Sequence, residues 1–403
     1  MSGIVVSDGW EVKTFSEIAL INMGQSPESE FVNENQKGLP FLQGNAEFGN
    51  INPQELYWVT VPKKIANKDD ILISVRAPVG DMNVADKSYC IGRGLAAITV
   101  NKIDKLFGLY ILFQERIQLN RLAQGSTFLA ISKNDFEKLL IKIPKEKKEQ
   151  EKIAKILSAL DKNIENTSKI IEKEKNIKKA LMQELLANGI DKNAKIRSPK
   201  THSYKQSKLG LIPEEWEVVS LGEITKAQQG LQIAISDRKE NISKKSYPYI
   251  TIQYLKHNKV VEYIEEPKKS VLCNHGDILM TRTGNTGVVV TNAYGVFHNN
   301  FFKIDFDRNK IDKTFFVYFL ESPKVQLEIE LKAGVTTIPD LNHSDFYSIN
   351  FMMIDIEEQK QIAKILKTQD KKIESEQKNL SKLQELKKGL MSDLLSGKVR
   401  VEI

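Results

Sequence analysis

The stretch Glu149-Gln150-Glu151-Lys152-Ile153-Ala154-Lys155-Ile156-Leu157 returns 209 residues later as Glu358-Gln359-Lys360-Gln361-Ile362-Ala363-Lys364-Ile365-Leu366, with seven of nine residues unchanged. Working outward from this pair, the second half of the chain restates the first. Trp10-Glu11-Val12 and Glu17-Ile18 return as Trp216-Glu217-Val218 and Glu223-Ile224 at a shift of 206, and Asp70-Ile71-Leu72 returns as Asp277-Ile278-Leu279 at 207. Ten residues after each of these aspartates stands a glycine, Gly80 and Gly287. Such a period is far longer than a solenoid unit, so the chain reads as two copies of one module, a globular domain of about 145 residues and a helix of about 40.

The quoted stretch opens each helix. Pro144 precedes the first, Asn188-Gly189 follows it, and neither Pro nor Gly falls between Glu146 and Ala187; these are start and stop signals. Steps of four and three from Ile153 pick out Ile153, Leu157, Leu160, Ile164, Ile171, Leu181 and Leu185, with Thr167, Glu174 and Lys178 as polar interruptions. A shift of 209 gives Ile362, Leu366, Ile373, Leu380, Leu383, Leu390 and Leu394, interrupted by Gln369, Glu376 and Lys387. Each helix therefore carries one heptad seam in the same register. About 40 residues at 1.5 Å each make a rod of roughly 60 Å, too long to lie on one small domain. The nearest partner for each seam is the other, and the polar interruptions leave room for further chains alongside. Residue spacing does not fix their orientation; an antiparallel pair would relate the modules by a pseudo-two-fold axis. The plainer alternative is that each helix covers its own domain and turns a solvated Lys/Glu face outward.

The expected boundaries are residues 1–144 for the first globular domain, 145–190 for the central long helix, 191–209 for a linker, 210–356 for the second globular domain and 357–403 for the C-terminal long helix. Both globular domains read as mixed α/β (α+β). Short β-like runs, Asp70–Val75, Ala96–Val100, Tyr249–Gln253, Gly287–Thr291 and Phe301–Phe306, are punctuated by Gly, Asn and Pro. The clearest helices are Leu106–Leu122 and Lys313–Leu331. Asp191–Lys208 holds one acid and six bases with few large apolar groups, a linker composition.

With 403 residues and 41% hydrophobic content, the chain can bury a core in each module, which excludes intrinsic disorder. Cys90 and Cys273 lie far apart with no CxxC spacing, so they make neither a zinc site nor a disulfide framework, and a reducing, cytoplasmic setting is expected. The first twenty residues contain no sustained apolar segment, and no long apolar run follows, so neither secretion nor membrane spanning is signalled.

No catalytic constellation stands out. Asn52-Pro53-Gln54-Glu55 falls short of an Asn-Pro-Pro-aromatic methyltransferase motif. Gly92-Arg93-Gly94-Leu95-Ala96-Ala97 imitates a dinucleotide fingerprint, but a β-like run follows it, and its repeat, His298-Asn299-Asn300-Phe301-Phe302-Lys303, has no glycine. Gly397-Lys398 lacks the upstream glycine of a phosphate loop. The five histidines, His202, His257, His275, His298 and His343, are scattered and absent from the first module, so no metal site is expected.

Taken in order, the repeated strings resemble the specificity subunit of type I restriction-modification systems over essentially the whole chain. They are Pro213-Glu214-Glu215-Trp216-Glu217-Val218, then Gly276-Asp277-Ile278-Leu279 with Arg282 and Gly287, then the Gly-x-Thr turns Gly125-Ser126-Thr127 and Gly334-Val335-Thr336. Glu-Gln-x-x-Ile-Ala-x-Ile-Leu and the closing Leu394-Leu395-Ser396-Gly397-Lys398 follow. The first module departs from this pattern: Asn67-Lys68-Asp69 replaces the Gly276 region, and Arg76 sits one place later relative to Asp70 than Arg282 does relative to Asp277. The resemblance implies a non-catalytic chain whose two target-recognition domains read the halves of a gapped double-stranded DNA target, with the long helices as an antiparallel coiled-coil spacer. It also implies two docked modification subunits that methylate adenine at N6, and restriction subunits that can join. No cofactor is expected in this chain; S-adenosylmethionine, ATP and magnesium would belong to the partners. The competing reading is a coiled-coil assembly scaffold that reads no DNA sequence.

Where the two modules match, the residues maintain a scaffold; where they differ, the modules can read different bases. On that basis the candidate DNA-binding residues are Gln43, Asn45, Arg76, Arg93, Ser126 and Thr127 in the first module. In the second they are Gln253, Tyr254, Arg282, Asn285, His298, Asn299, Thr336 and Thr337. Arg suits guanine O6/N7, and Asn or Gln suits adenine N6/N7. The alternative is that the Arg-x-Gly and Gly-x-Thr strings are turn framework. The net charge of +7 is unevenly spread: residues 1–141 hold 14 bases and 16 acids, and residues 210–356 hold 16 and 19. The helical segments 142–187 and 357–403 hold 12 against 8 and 11 against 8, and 188–209 holds 6 against 1. Basicity therefore sits on the rods and linker, and weak, salt-sensitive DNA binding is expected of the chain alone.

Overall fold

The computed structural model describes residues 6–124, 130–257, 262–334 and 339–402. The chain divides into two compact units, residues 1–169 with 377–403, and residues 170–376. Both are mixed helix and sheet, and they share one plan.

In the first unit a four-stranded antiparallel sheet runs in the order Ala19–Met23, Leu95–Val100, Ile71–Ser74, Met82–Val84. Its two central strands are apolar on both sides because both sides are covered. Ile71, Ile73, Ala96 and Ile98 face a core that includes Phe107, Ile111 and Phe136. The alternating residues Leu72, Leu95 and Ala97 join Leu42, Tyr89 and Ile91 in a second core, as the two-residue strand period requires. A five-stranded sheet follows the order Val32–Asn33, Tyr57–Val59, Leu39–Leu42, Tyr89–Ile91, Ile65–Ala66, with one parallel pairing between Leu39–Leu42 and Tyr89–Ile91. Trp10–Thr14 pairs with Leu140–Pro144 and leads the chain into the long helix Lys147–Asn188.

The second unit repeats this with Thr225–Gln229, Phe301–Phe306, Ile278–Thr281, Val289–Thr291 and with Arg238–Lys239, Tyr263–Glu265, Ser246–Ile250, Gly295–Phe297, Leu272–Cys273, again with one parallel pair. Glu217–Ser220 pairs with Asn350–Met353 ahead of the second long helix, Ile356–Leu395.

Each long helix contributes to both units, and within each unit the two helical segments run antiparallel. In the first, Leu394 and Leu395 share a core with Ile153, Ala154 and Leu157, while Lys387 bridges to Asp161. In the second, Leu185 and Leu186 pack with Ile362 and Leu366, and Gln369 donates to the backbone carbonyl of Glu174. All the seam positions, apolar and polar, are buried or half-buried. Gln369 and Glu174 meet where a shift of 209 would place Leu160 and Leu383, so the polar interruptions satisfy one another rather than leaving a buried amide unpaired.

The repeated motif has a structural task at nearly every identity. Gln150 accepts from the Asp104 N–H at 2.9 Å and donates to Pro144 O at 2.8 Å; Gln359 accepts from the Asp312 N–H at 2.9 Å and donates to Ile354 O at 2.9 Å. Asp104 and Asp312 in turn accept from Phe107 and Phe315 N–H, capping the next helix. Ile153, Leu157, Ile362 and Leu366 are fully buried.

Several expectations need correction. The C-terminal long helix stops at Leu395, not at 403, because Gly397 takes a left-handed φ of 73°. The helix expected over Lys313–Leu331 is two, Lys313–Leu320 and Pro323–Ala333, with Pro323 restarting the chain at a first-turn position. The strand expected over Tyr249–Gln253 ends at Ile250, and a short helix, Ile252–His257, begins. The segment read as a linker is structured: Tyr204–Ser207 and Gly210–Pro213 form a hairpin, and Arg197 is 8% exposed.

Candidate nucleic-acid interface

At one end of the first unit's four-stranded sheet, backbone hydrogen bonds fix a set of loops. Leu95 is paired with Ser74, and one step further the Val75 N–H donates to Gly94 O at 2.9 Å. Gly24 N–H donates to Leu95 O, Gln25 N–H to Ile91 O, and Gly92 N–H to Leu42 O. A side chain at Gly24 would meet the carbonyl of Gly92, so the close approach requires glycine there. The loops that result present Gln43, Arg76 and Arg93, all exposed. Ser26 ties this edge together, its hydroxyl receiving the Arg93 N–H at 3.3 Å and the Gln43 amide at 3.3 Å. Asn45 is held by its Nδ2 donating to Asp81 at 2.8 Å, and Arg116 pairs with the same carboxylate.

The second unit reproduces this backbone pattern. Thr281 pairs with Phe301, Arg282 N–H donates to Asn300 O, Gly230 N–H to Phe301 O, Leu231 N–H to Phe297 O and His298 N–H to Ile250 O. These equivalences correct the matching of Arg76 with Arg282. Ile131 N–H donates to Val75 O as Leu341 N–H donates to Arg282 O, and the bridge Arg76 to Ala130 corresponds to Thr283 to Asp340. Arg282 is thus the counterpart of Val75, and Arg76 that of Thr283. The constant shift of 207 from Asp70 to Gly80 gives the same equivalence, and matching arginine with arginine departed from it by one residue.

The side chains on this shared frame differ in state as well as identity. Arg282 forks onto Asp340 at 2.7 to 3.0 Å and lies over the Phe302 ring, a framework role in the arrangement shown. Among the described residues, Arg76 and Arg93 have no side-chain partner. His298 sits half-buried against Tyr249, 5.7 Å between ring centroids. Burial, then the nearby Arg238 guanidinium, holds its imidazole below the ordinary value. Its Nδ1 accepts from the Asn300 N–H at 3.1 Å, leaving Nε2 as the donor of the neutral ring. Asn299 Oδ1 is enclosed without a hydrogen-bond partner. Asn285 and Gln253 are exposed, and Tyr254 packs half-buried against the core around Ile250. Ser126, Thr127, Thr336 and Thr337 lie outside the described residues.

The structure brings Gln43, Arg76 and Arg93 to one edge, and Arg282, His298 and Asn299 to the equivalent edge of the second unit. Ser26, Asp81 and Asp340 organise these edges and were not among the sequence candidates; their partners lie 17 to 67 residues away along the chain, so no local spacing announces them. Among the described residues no group of three His, Cys, Asp or Glu could hold a metal ion, and no helix is long and apolar enough to cross a membrane.

The comparisons with known proteins agree with this two-part layout. The family profile described as the type I restriction modification DNA specificity domain matches twice, over residues 7–175 and 213–385. The chain is 27% identical over its full length to the type I restriction enzyme MjaVIII specificity subunit of Methanocaldococcus jannaschii, covering 96% of that protein. It is 43% identical over 189 residues to the putative MjaX specificity subunit of the same organism, a match spanning 44% of that relative's length and 46% of this chain. The fold is similar to that of a type I restriction-modification S subunit from M. genitalium, with TM-score 0.59, 19% identity and coverage of 97% of this chain and 98% of that one. It is also similar to a chain solved in work on complex assembly and conformational transition of the type I R-M system, with TM-score 0.63, 15% identity and coverage of 98% and 100%. These matches favour DNA target recognition over a sequence-blind scaffold. A family profile that covers both units, on a fold that repeats with them, places this chain in the type I restriction-modification DNA specificity family, whose members are the target-recognition subunits of those systems.

Proposed function

We propose that the chain is a non-catalytic subunit that reads a two-part, gapped DNA target, one part per unit, and positions modification and restriction subunits on it in the cytoplasm. The observation that carries this reading is the pair of equivalent sheet ends, held by the same backbone hydrogen bonds yet carrying different polar side chains. A shared frame with different side chains is what two readers of different half-sites need, because phosphate contacts position a protein whereas base-edge contacts specify the sequence. Two modification subunits that bind S-adenosylmethionine and methylate adenine at N6 are the partners this reading requires. Restriction subunits using ATP and magnesium would complete the system, and this chain itself would need no cofactor. An adenine must leave the stack to be methylated, and a subunit gripping both flanks would hold the duplex for that step.

Methylome sequencing of a host carrying this chain with its modification subunit tests the proposal. One gapped adenine-methylated motif is expected, and exchanging residues 210–356 for those of another family member should change one half of it only. A motif without a gap, or methylation independent of this chain, would overturn the reading. Purified chain with magnesium is expected to leave duplex DNA uncut.

A further inference from the structure

The first unit's sheet end carries a feature that the second lacks. Leu95 is the last ladder partner of Ser74, and the Val75 N–H to Gly94 O bond extends the same register by one step. Arg76 and Arg93 flank that bond, Arg76 just after Val75 and Arg93 just before Gly94, in a turn closed by the Leu95 N–H on Gly92 O. Both arginines are exposed, and neither side chain has a partner among the described residues. Like charges gathered at one sheet end repel, and an electron-rich ligand bound there would relieve that repulsion. The loop backbone is nevertheless well fixed. Arg76 is bridged to Ala130, and the Arg93 N–H donates to the Ser26 hydroxyl at 3.3 Å. Gly94 packs directly on the backbone of Gln43 and Gly44.

In the second unit Thr283 and Asn299 flank the equivalent bond, from Arg282 N–H to Asn300 O. The arginine near this end, Arg282, comes from the neighbouring position and is neutralised by Asp340. Its counterparts in the first unit, Val75 and Ala130, bring no acid to compete for Arg76 or Arg93.

We propose that Arg76 and Arg93 form a guanine-reading pair confined to the first unit, and that the second unit, with Thr283 and Asn299 there, makes no matching guanine contact. The inference rests on the DNA-reading role proposed above and adds which half-site depends on guanine and through which residues. A planar guanidinium with paired N–H donors matches the O6 and N7 acceptors of guanine in the major groove. Thr and Asn offer a hydroxyl and an amide instead, and the amide prefers adenine.

The test uses the assembled methyltransferase in a host whose methylome is sequenced, with the wild-type chain and the variants R76A, R93A, R76K and R93K. Thermal midpoints of the purified complexes would check folding. Expected for wild type is a gapped motif with a guanine in the half read by the first unit. Each alanine variant should relax one position in that half, lowering discrimination for guanine about 10- to 100-fold and leaving the other half unchanged. The lysine variants keep the charge and lose the fork, and should relax the same position. If the arginines bind phosphate instead, methylation would fall evenly at all sites with the motif unchanged, and lysine would restore it; that outcome overturns the proposal. Relaxation in the half read by the second unit, or no change in motif or extent, would also overturn it. Failure of the underlying reading looks different, since wild type would then give no gapped motif at all.

Discussion

Arg197 closes on Glu358 with two hydrogen bonds, of 2.5 and 3.0 Å, and in the other unit Arg400 closes on Glu149 in the same way, at 2.6 and 2.7 Å. Both glutamates open the repeated motif, and both arginines lie just beyond the end of a long helix. A tryptophan completes each site: Trp10 donates to Glu149 at 3.4 Å and packs on Gly397, while Trp216 packs on Gly189. At Gly189, with φ of 62°, a side chain would strike both the Trp216 ring and the Glu358 carboxylate. Arg197→Ala leaves Glu358, whose side chain is 11% exposed, without its main partner, a loss of about 3 to 5 kcal/mol for a pair of this kind. Chemical denaturation of the full chain should show it as a lower midpoint; a change under about 1 kcal/mol would mean that the pair is not holding the unit closed.

Removing residues 396–403 takes Arg400 and Gly397 from the first unit and leaves the Glu149 carboxylate, which is fully buried, with only the Trp10 indole among its described partners. The expected result is a lowered melting transition together with faster proteolysis of the segment around Trp10. An unchanged melting profile would show that the tail contributes nothing to stability.

Leu157 and Leu366 occupy the same motif position, both fully buried in the cores of their own units. Leu157→Ala and Leu366→Ala should each cost about 2 to 5 kcal/mol, the range for cavity-creating substitutions. Differential scanning calorimetry of the two variants would show whether the motif supports both units comparably.

Burial raises the Glu115 carboxyl above its ordinary value. The sign follows from linkage. A carboxyl whose folded value lies above its unfolded one adds most stability when protonated and loses it as pH rises through the folded value. Glu115→Gln should therefore raise the midpoint at pH 7 and leave it nearly unchanged at about pH 3.5, where the carboxyl is protonated in both states. Equal midpoints for wild type and variant at both pH values would remove burial as the cause.

DNA binding by the chain without partners should be weak. Each globular segment carries more acids than bases, and the excess of bases lies on the helices and the segment between them. Fluorescence anisotropy at rising salt should show affinity no tighter than about micromolar at physiological ionic strength, falling steeply with salt. A nanomolar, sequence-selective complex would contradict this.

The fold was legible where a residue's task is local or repeated. Glu149-Gln150 and Glu358-Gln359 mark the same joint twice, and Ile153, Leu157, Ile362 and Leu366 show their burial through spacing alone. What stayed hidden were partners without a repeat: Arg197 sat among five other bases in a stretch that reads as a linker, and Asp340 lies 58 residues from Arg282. Pro323 and Gly397 were in plain view as a restart and a stop, yet a strong apolar period on either side of Pro323 outweighed it. At the candidate interface, residue types singled out loops that the structure gathers at equivalent sheet ends. Their pairing was legible as well, since a constant shift of 207 puts Val75 on Arg282 and Arg76 on Thr283, but matching arginine with arginine slipped it by one residue.

The division of the chain also sets an order of events during synthesis. Residues 170–376 form a unit from one continuous stretch, whereas the unit begun by the earliest residues also needs residues 377–403, including Leu394, Leu395 and Arg400. Of the two units, the one begun earlier is therefore the later to be finished. Until those residues arrive, the groove formed by Ile153, Ala154 and Leu157 stays open, and exposed apolar surface of this kind invites misassembly and chaperone capture. In a released chain that ends near residue 380, the second unit should resist protease while the first is still being cut.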